Sequence, residues 1–468
     1  MKAGETMKKM TLDDIGYLRS IVGSQYIYIG EEISEDFAHD ELAEIKAFPD
    51  CVVEPSSTEE ISKIMKYAYD KEIPVTVRGS GTGLCGGCVA VDGGILLTTS
   101  RLNKIIEIDE GNLVARVEPG VILLNFQDEV EKLGLLYAPD PGEKSATIGG
   151  NVMTNAGGMR AIKYGVTRDH VLGMEVVLPT GEILSLGGKI VKNSSGYSLL
   201  DLFIGSEGTL GIITEITVKL LPLPKKTATL LVPFSSLEEG IKAVPEVLKG
   251  RIIPNAIEFM EREIIEAAEE YLGKPFPDKS APAYLLLRFD GNSKEELEKI
   301  YDVAARICLD SGAIDVYIAD TEDRQDIIWD ARGAFLEALK AMSEMDEVDV
   351  VVPRTEIPHL VNYTQVLRQE YNVRIVSLGH AGDGNVHIYI LRDDLEQAKW
   401  EKVLPEIMEK LYKKGHELNG HVSGEHGIGF AKKEYLWESL GKTQMRLQRE
   451  IKKVFDPKGI LNPQKVIH

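Results

Sequence analysis

Three loops crowded with small residues fall inside one block, residues 48–224, and each borders an apolar run. The first, Arg78-Gly79-Ser80-Gly81-Thr82-Gly83-Leu84-Cys85-Gly86-Gly87, directly follows Val75-Thr76-Val77. The second spans residues 140–160 and reads DPGEKSATIGGNVMTNAGGMR; the third, residues 204–213, reads IGSEGTLGII. Glycine at this density lets backbone N–H groups converge on an anion with no Cβ in the way. The first loop lacks the Gly-Lys-Ser/Thr of a P-loop, and Gly-Gly-Cys stands where a dinucleotide fingerprint would open a helix. Three such loops predict a large, phosphate-bearing cofactor lying across several strand ends.

The flanking pattern predicts the scaffold. Ser57-Thr58-Glu59-Glu60 reads as a capping box opening a helix with Ile61, Ile64, Met65 and Ala68 on one face. Short strands are expected at residues 75–77, 94–97, 114–117 and 174–178. Leu221-Pro222-Leu223-Pro224 resists continued sheet pairing and marks a boundary. Beyond it, strands at 229–232, 256–259, 284–287 and 316–318 alternate with helices from Ser235 and over 294–309. That order predicts an antiparallel sheet with helices, and an α+β fold for the whole chain. The expected organisation is a helical lead-in over 1–47, a cofactor domain over 48–224, a cap over 225–420 and a returning segment over 421–468. No internal repeat or low-complexity tract is present.

Composition narrows the function. A formal charge of −21 over 468 residues argues against general binding to nucleic acid or anionic membrane. No run approaches the roughly 20 apolar residues needed to span a bilayer, and MKAGETMKKM carries no apolar core of a signal peptide. The four cysteines, Cys51, Cys85, Cys88 and Cys308, are too few for a disulfide scaffold and point to a reducing, cytoplasmic setting. They are also too few for an iron–sulfur relay. Cys85-Gly-Gly-Cys88 has no second pair, so redox or zinc use of it is disfavoured.

The histidines carry a second signal. His380 and His387 flank Ala-Gly-Asp-Gly-Asn, a turn followed by an apolar strand. Such a turn folds two imidazoles toward one point. A third ligand is available in residues 421–429, HVSGEHGIG, where Glu425 precedes His426 between glycines. Two imidazoles and a carboxylate with open positions suit Zn²⁺ or Fe²⁺; the competing reading is two unrelated turns with hydrogen-bonded histidines. In an extended segment His426 points away from Glu425 and is free to act as a base, or else supports the metal from behind. Arg332, in Trp329-Asp330-Ala331-Arg332 at the start of an apparent helix, reads either as a surface ion pair with Glu337 or Asp330 or as a fixed cation.

Together the three loops resemble the FAD-binding domain of the vanillyl-alcohol oxidase superfamily. They resemble most the branch of D-lactate dehydrogenases, glycolate oxidase flavin subunits and D-2-hydroxyglutarate dehydrogenases, over about residues 48–468. The resemblance implies a two-part FAD domain of that type with a cap, and a flavin-dependent 2-hydroxy acid dehydrogenase. It implies that Arg78, Gly79, Ser80, Gly81, Thr82 and Gly83 cradle the pyrophosphate. Pro141, Gly142, Ser145, Ala146 and Thr147, then Gly149, Gly150, Thr154, Asn155 and Gly157, are implied to line the flavin. Glu207, Gly208 and Ile213 are implied to touch the nucleotide half or its loop, with Asn462 returning to the cofactor. Thr82 stands where some members carry a histidine that bonds FAD covalently, so FAD is expected to be non-covalent.

The same resemblance implies a divalent metal, Fe²⁺ or Zn²⁺, on His380, His387 and Glu425. It implies catalytic roles for Arg332 on the substrate carboxylate and for His426 as the base that takes the hydroxyl proton while hydride passes to the flavin. Tyr389 stands where hydroxyglutarate enzymes have asparagine, which favours a small substrate such as lactate or glycolate. DPGEKSATIGGN, NAGGMRAIKYGVTRD, GGKIVKNSSGYSL and RGAFLEA resemble lactate-oxidising subunits that work with an electron-transferring flavoprotein in anaerobic acetogens. There, lactate oxidation by NAD⁺ is driven by ferredoxin oxidation, an electron confurcation. A glycolate oxidase subunit, a D-2-hydroxyglutarate dehydrogenase and a catalytically silent assembly subunit are the alternatives.

Overall fold

The computed structural model describes residues 9–42 and 45–467. The chain forms two compact units. One comprises Met1–Ala156, Val166–Leu223 and His426–His468; the other comprises Gly157–Gly165 and Pro224–Glu425. Residues 1–8, 43 and 44 of the lead-in lie outside the described residues.

The first unit contains two main sheets. Strands β1 (Ile27–Ile29), β2 (Cys51–Val53), β3 (Val75–Arg78) and β4 (Ile95–Thr98) form one sheet in the order β1-β2-β4-β3. The β2–β4 and β3–β4 pairs are parallel, a geometry that requires a crossover. Helix Thr58–Lys71 lies in sequence between β2 and β3. Its buried residues are Ile61, Ile64, Met65 and Ala68, the face expected from the periodicity. Ser57 caps it by accepting from the Glu60 N–H at 3.2 Å. Glu60 reaches back one residue further than a capping box requires, to Ser56 N at 2.7 Å. In the lead-in, helix Leu12–Val22 is capped by Thr11 and precedes edge strand β1.

The second sheet is antiparallel, in the order β5-β6-β10-β8-β9. Its strands are β5 (Ile105–Asp109), β6 (Val114–Val117), β8 (Val171–Val177), β9 (Ile183–Gly187) and β10 (Ile212–Lys219), with β7 (Leu135–Leu136) intervening in sequence. Phe126, Tyr137, Ile148, Phe203 and Ile216 are wholly buried in one cluster beneath it. Each such side chain contributes roughly 1.5–3 kcal/mol of apolar transfer. The proline-rich boundary still pairs briefly, as β11 (Leu221–Pro222) against β7.

The second unit is built on one antiparallel sheet of seven strands, ordered β15-β12-β14-β13-β17-β18-β16. They are β12 (Lys226–Phe234), β13 (Ala256–Glu261), β14 (Ala283–Gly291), β15 (Tyr317–Ala319), β16 (Met345–Val351), β17 (Arg374–His380) and β18 (Asn385–Leu391). The helix expected from Ser235 begins one residue later, with Ser236 as its cap. The helix over 294–309 runs Lys294–Asp310. Helices Arg262–Leu272, Glu322–Gly333 and Phe335–Met342 bury Ile264, Ile328, Ala331 and Phe335 with Met260, Leu378 and Tyr389 of the sheet. This is the α+β architecture expected from the alternation. One detail differs: Trp329–Arg332 closes helix Glu322–Gly333 rather than opening a helix. Glu322 and Asp323 occupy its first turn, where acidic side chains favour a helix N-terminus.

Among the described residues no helix is long and apolar enough to cross a membrane. The four cysteines are free thiols.

Candidate functional site

In the first unit the three small-residue segments meet. A Cβ on Gly79 would lie 2.5 Å from Thr147 Oγ1, so the first loop rests directly on the second segment. Thr147 caps helix Ile148–Thr154 by accepting from Gly150 N at 3.1 Å. Gly149 packs on Pro119, where a Cβ would fall 2.5 Å from its Cβ. The third segment bonds the same helix, with Glu207 N donating to Met153 O at 2.8 Å and Gly205 N to Val152 O at 3.0 Å. Asn462 ties both ends: its Oδ1 accepts from Val77 N at 2.9 Å and its Nδ2 donates to Glu207 O at 2.7 Å. Gly208 lies against that amide.

Several residues expected to reach outward are committed within the protein. Arg78 is buried; its Nη1 donates to His39 O at 2.7 Å and its guanidinium fills the space beside Gly81. The carboxylate of Glu207 accepts from Ile428 N and Gly429 N, both at 2.7 Å, and so fixes the turn after His426. Cys85 Sγ caps the carbonyls of His426 and Gly427 at 3.4 and 3.3 Å, and Cys88 Sγ accepts from Arg78 at 3.4 Å. Ile213 is a core residue of β10. Thr154 Oγ1 bonds Gly150 O at 3.1 Å, and Asn155 Oδ1 accepts from Arg168 N at 2.9 Å. Ser145 bonds Glu143 through both N and Oγ, on the exposed stretch that also holds Gly142.

What remains fits an anionic group. Among the described residues no protein acceptor meets the backbone N–H groups of Gly79, Ser80, Gly81, Thr82 and Gly83. The amide nitrogen of buried Asn151, beside Gly149 and Gly150, has no hydrogen-bond partner among them either.

Lys465, three residues after Asn462, is 1 % exposed and its amine has no hydrogen-bond partner among the described residues. Burial lowers its pKa to about 8. Below pH 8 the lysine is charged folded and unfolded, and the fold bears the desolvation cost. Between pH 8 and about 10.5 the unfolded chain binds more protons, so stability rises with pH. Lys465→Met is therefore expected to stabilise the protein at pH 7 by ~3 kcal/mol, with the gain shrinking toward zero by about pH 10. Urea denaturation at both pH values measures it; an equal gain at both would refute the buried charge.

The second unit carries the metal-ligating candidates on one face of its sheet. β17 and β18 form the hairpin expected around the turn. Leu378 pairs with His387 and His380 with Asn385, so both histidines project from the same side. The rings are perpendicular, 89°, with centroids 5.4 Å apart. Each Nε2 lies 3.4 Å from the same oxygen, Glu425 Oε1. Two ligands held about 2.1 Å from one tetrahedral ion are separated by roughly 3.4 Å, so the spacing suits a cation. The outer nitrogen of His380 is hydrogen-bonded to a carboxylate, as in metal-binding histidines, and that of His387 lies at ion-pair distance from one. His380 Nδ1 lies 2.6 Å from Glu258 Oε1, and His387 Nδ1 lies 3.1 Å from Glu347 Oε1.

Glu425 is itself oriented. Asp349, fully buried, accepts from Ser423 Oγ, Gly424 N and Glu425 N at 2.7, 3.1 and 3.2 Å. Gly157 also touches this cluster: a Cβ on it would lie 2.7 Å from Glu425 Oε2. Arg332 pairs neither with Glu337 nor with Asp330. Its Nε and Nη2 donate to Glu258 Oε2 at 2.9 and 2.6 Å. That edge of the guanidinium is taken; the Nη1 and Nη2 end remains for a carboxylate.

Electrostatics lock the cluster together. Burial alone would lower both histidines. Glu258 and Glu425 overcome it and carry His380 well above its usual pKa; Glu347 and Glu425 carry His387 to about 9. Burial would raise Glu425, and the two imidazoles pull it well below the carboxylate range. Burial also lifts Asp383, in the turn, to about 6.

Glu258, Glu347 and Asp349 are absent from the candidates read off the sequence. A signal existed. Glu258 is a lone charge in Ala-Ile-Glu-Phe-Met, and Glu347 and Asp349 stand two apart in β16, which puts both on one face.

Family comparisons agree with this architecture. Residues 49–187 match an FAD binding domain and residues 223–466 match the C-terminal domain of FAD linked oxidases. A D-lactate dehydrogenase of Anaerostipes hadrus is 49% identical over 454 residues, covering 96% of each chain. Glycolate oxidase subunit GlcD of Bacillus subtilis is 40% identical over 432 residues, covering 92% of this chain and 91% of its own. Among solved structures, p-cresol methylhydroxylase superposes with a TM-score of 0.80 at 18% identity over 98% of both chains.

Proposed function

The chain belongs to the FAD linked oxidases, and from that premise we propose that it oxidises lactate, D-lactate in the first place, to pyruvate. It is a flavin-dependent hydroxy acid oxidoreductase with a fold of the vanillyl-alcohol oxidase type. The observation that carries the substrate reading is the convergence of two imidazoles on Glu425 Oε1 within one carboxylate-framed cluster that also holds Arg332.

When bound, FAD supplies the two-electron acceptor, and a divalent Fe²⁺ or Zn²⁺ on His380, His387 and Glu425 supplies Lewis acidity toward the substrate hydroxyl. The N–H groups of Gly79–Gly83 and the helix start at Thr147–Gly150 would hold the cofactor, non-covalently. Arg332 receives the substrate carboxylate on its Nη1 and Nη2 end. His426, next in the chain after Glu425, takes the proton from the hydroxyl oxygen. The domain limits drawn at 48, 225 and 421 belong to this proposal.

Charge supports a small monocarboxylate. Glu258, Glu347, Asp349, Asp383 and Glu425 crowd the cluster, and Glu258 already engages half of Arg332. A second substrate carboxylate would meet like charge. Glycolate is the second reading, favoured by the 40% identity to a glycolate oxidase subunit. Electrons are proposed to leave to an electron-transferring flavoprotein, with NAD and ferredoxin as ultimate partners, on the strength of the sequence segments quoted above.

Flavin bleaching under anaerobic conditions tests the reading with D-lactate, L-lactate, glycolate and D-2-hydroxyglutarate. Fastest bleaching by D-lactate supports it; bleaching by none rejects it in favour of a silent subunit. His426→Ala is expected to keep FAD and lose bleaching by ~10²–10⁴-fold. A normal rate in that variant would rule out His426 as the base.

A further inference from the structure

Glu258 joins two groups that the proposed chemistry assigns to different tasks. It is 0 % exposed and lies on β13, where it is the register partner of His380 across the ladder to β17. One oxygen meets His380 Nδ1 at 2.6 Å; the other takes Nε and Nη2 of Arg332 at 2.9 and 2.6 Å. A buried carboxylate needing only charge compensation would be satisfied by the arginine alone. Here each oxygen serves a different partner, and each partner turns its opposite end away from Glu258. His380 directs Nε2 at Glu425, and Arg332 retains Nη1, for which no protein acceptor is found among the described residues.

We infer that Glu258 is a positioning residue that sets substrate carboxylate and metal at a fixed separation by bracing Arg332 and His380 in one rigid frame. This rests on the reading of Arg332 and His380 proposed above.

The bonding chemistry makes the role specific. A carboxylate only accepts, so His380 must carry its proton on Nδ1 and leave the Nε2 lone pair for a cation. A glutamine has one accepting atom and one donating group. If its oxygen stays with Arg332, its amide N–H faces His380 Nδ1 and drives the imidazole proton to Nε2, the coordinating nitrogen. If its oxygen turns to His380, Arg332 is left facing an N–H group and swings away. Neither arrangement serves both ends.

The test compares wild type with Glu258→Gln and Arg332→Gln as purified FAD-loaded proteins. Zn²⁺ affinity is read by chelator competition, and KM and kcat for D-lactate are read separately. Arg332→Gln is expected to raise KM while leaving Zn²⁺ affinity within about threefold. Glu258→Gln is expected to raise KM and also weaken Zn²⁺ binding by ~10–100-fold. Wild-type Zn²⁺ affinity in folded Glu258→Gln overturns the inference. If that variant does not fold, Glu258→Asp replaces it. The shorter carboxylate reaches one partner at a time, so a smaller weakening is expected and full affinity again overturns the inference. A wild type that binds no Zn²⁺, or binds it unchanged after Glu425→Gln, would instead overturn the metal reading itself.

Discussion

Glu425→Gln is expected to purify with FAD and without the divalent metal proposed for this cluster, and to bleach with D-lactate on the order of 10³-fold more slowly than wild type. The substitution keeps shape and removes charge. Oε1 of Glu425 is the atom both imidazoles face, at 3.4 Å each. A neutral amide oxygen there is a weaker ligand. Its NH₂ group, if turned inward, presents protons to two nitrogens that must be lone-pair donors. Glu425 touches the FAD candidate Gly157, and a glutamine of the same shape keeps that contact, so flavin content should hold. Metal analysis of the purified variant and a stopped-flow bleaching trace decide the matter. Stoichiometric metal with a normal bleaching rate would show that these residues are not the reactive centre.

The second large effect is structural. Gly384 lies in the turn between the histidines with φ at +97°. A Cβ there would fall 2.0 Å from Val352 O, a backbone atom with little room to yield. Its N–H bonds His380 O at 3.0 Å, and its carbonyl accepts from Val352 N at 3.0 Å. Gly384→Ala must bear the cost of a left-handed alanine and either break those bonds or displace β16. A loss of ~4 kcal/mol is expected, with thermal unfolding lowered by roughly 10 °C. Metal affinity should fall with it, because the turn aligns both imidazoles. Calorimetry on the variant measures the first effect; melting within a degree or two of wild type would disprove the account.

How much of this was legible beforehand follows the range of the interactions. The Thr58–Lys71 helix was readable because its cap and buried face recur within a few residues. The β17–β18 hairpin was readable because Ala-Gly-Asp-Gly-Asn is a local instruction, and the glycine loops announced themselves by composition. The Arg332–Glu258–His380 bridge was not readable. Its members lie 74 and 122 positions apart in sequence; Glu258 meets His380 through the register of β13 against β17, and Arg332 through the packing of its helix on the sheet. No local pattern encodes that register. Trp329–Arg332 reads as a helix start for a related reason. Arg-Gly-Ala-Phe-Leu looks like helix continuing, yet Gly333 ends one helix and Phe335 begins the next. Glu207 was legible only in part. Its neighbours in sequence suggest a ligand, while its partners, Ile428 and Gly429, stand 221 and 222 residues away.

The shared sheet face has a genetic corollary. Because alternate positions of a strand point opposite ways, a single codon gained or lost inside β17 would turn His380 to the far side, and one inside β18 would turn His387. Two codons would restore the facing but shift each histidine one step along the ladder, away from Glu258 or Glu347. Heritable change in length can therefore accumulate at places such as the exposed stretch near Gly273, while residues 374–391, from the start of β17 to the end of β18, admit substitutions only.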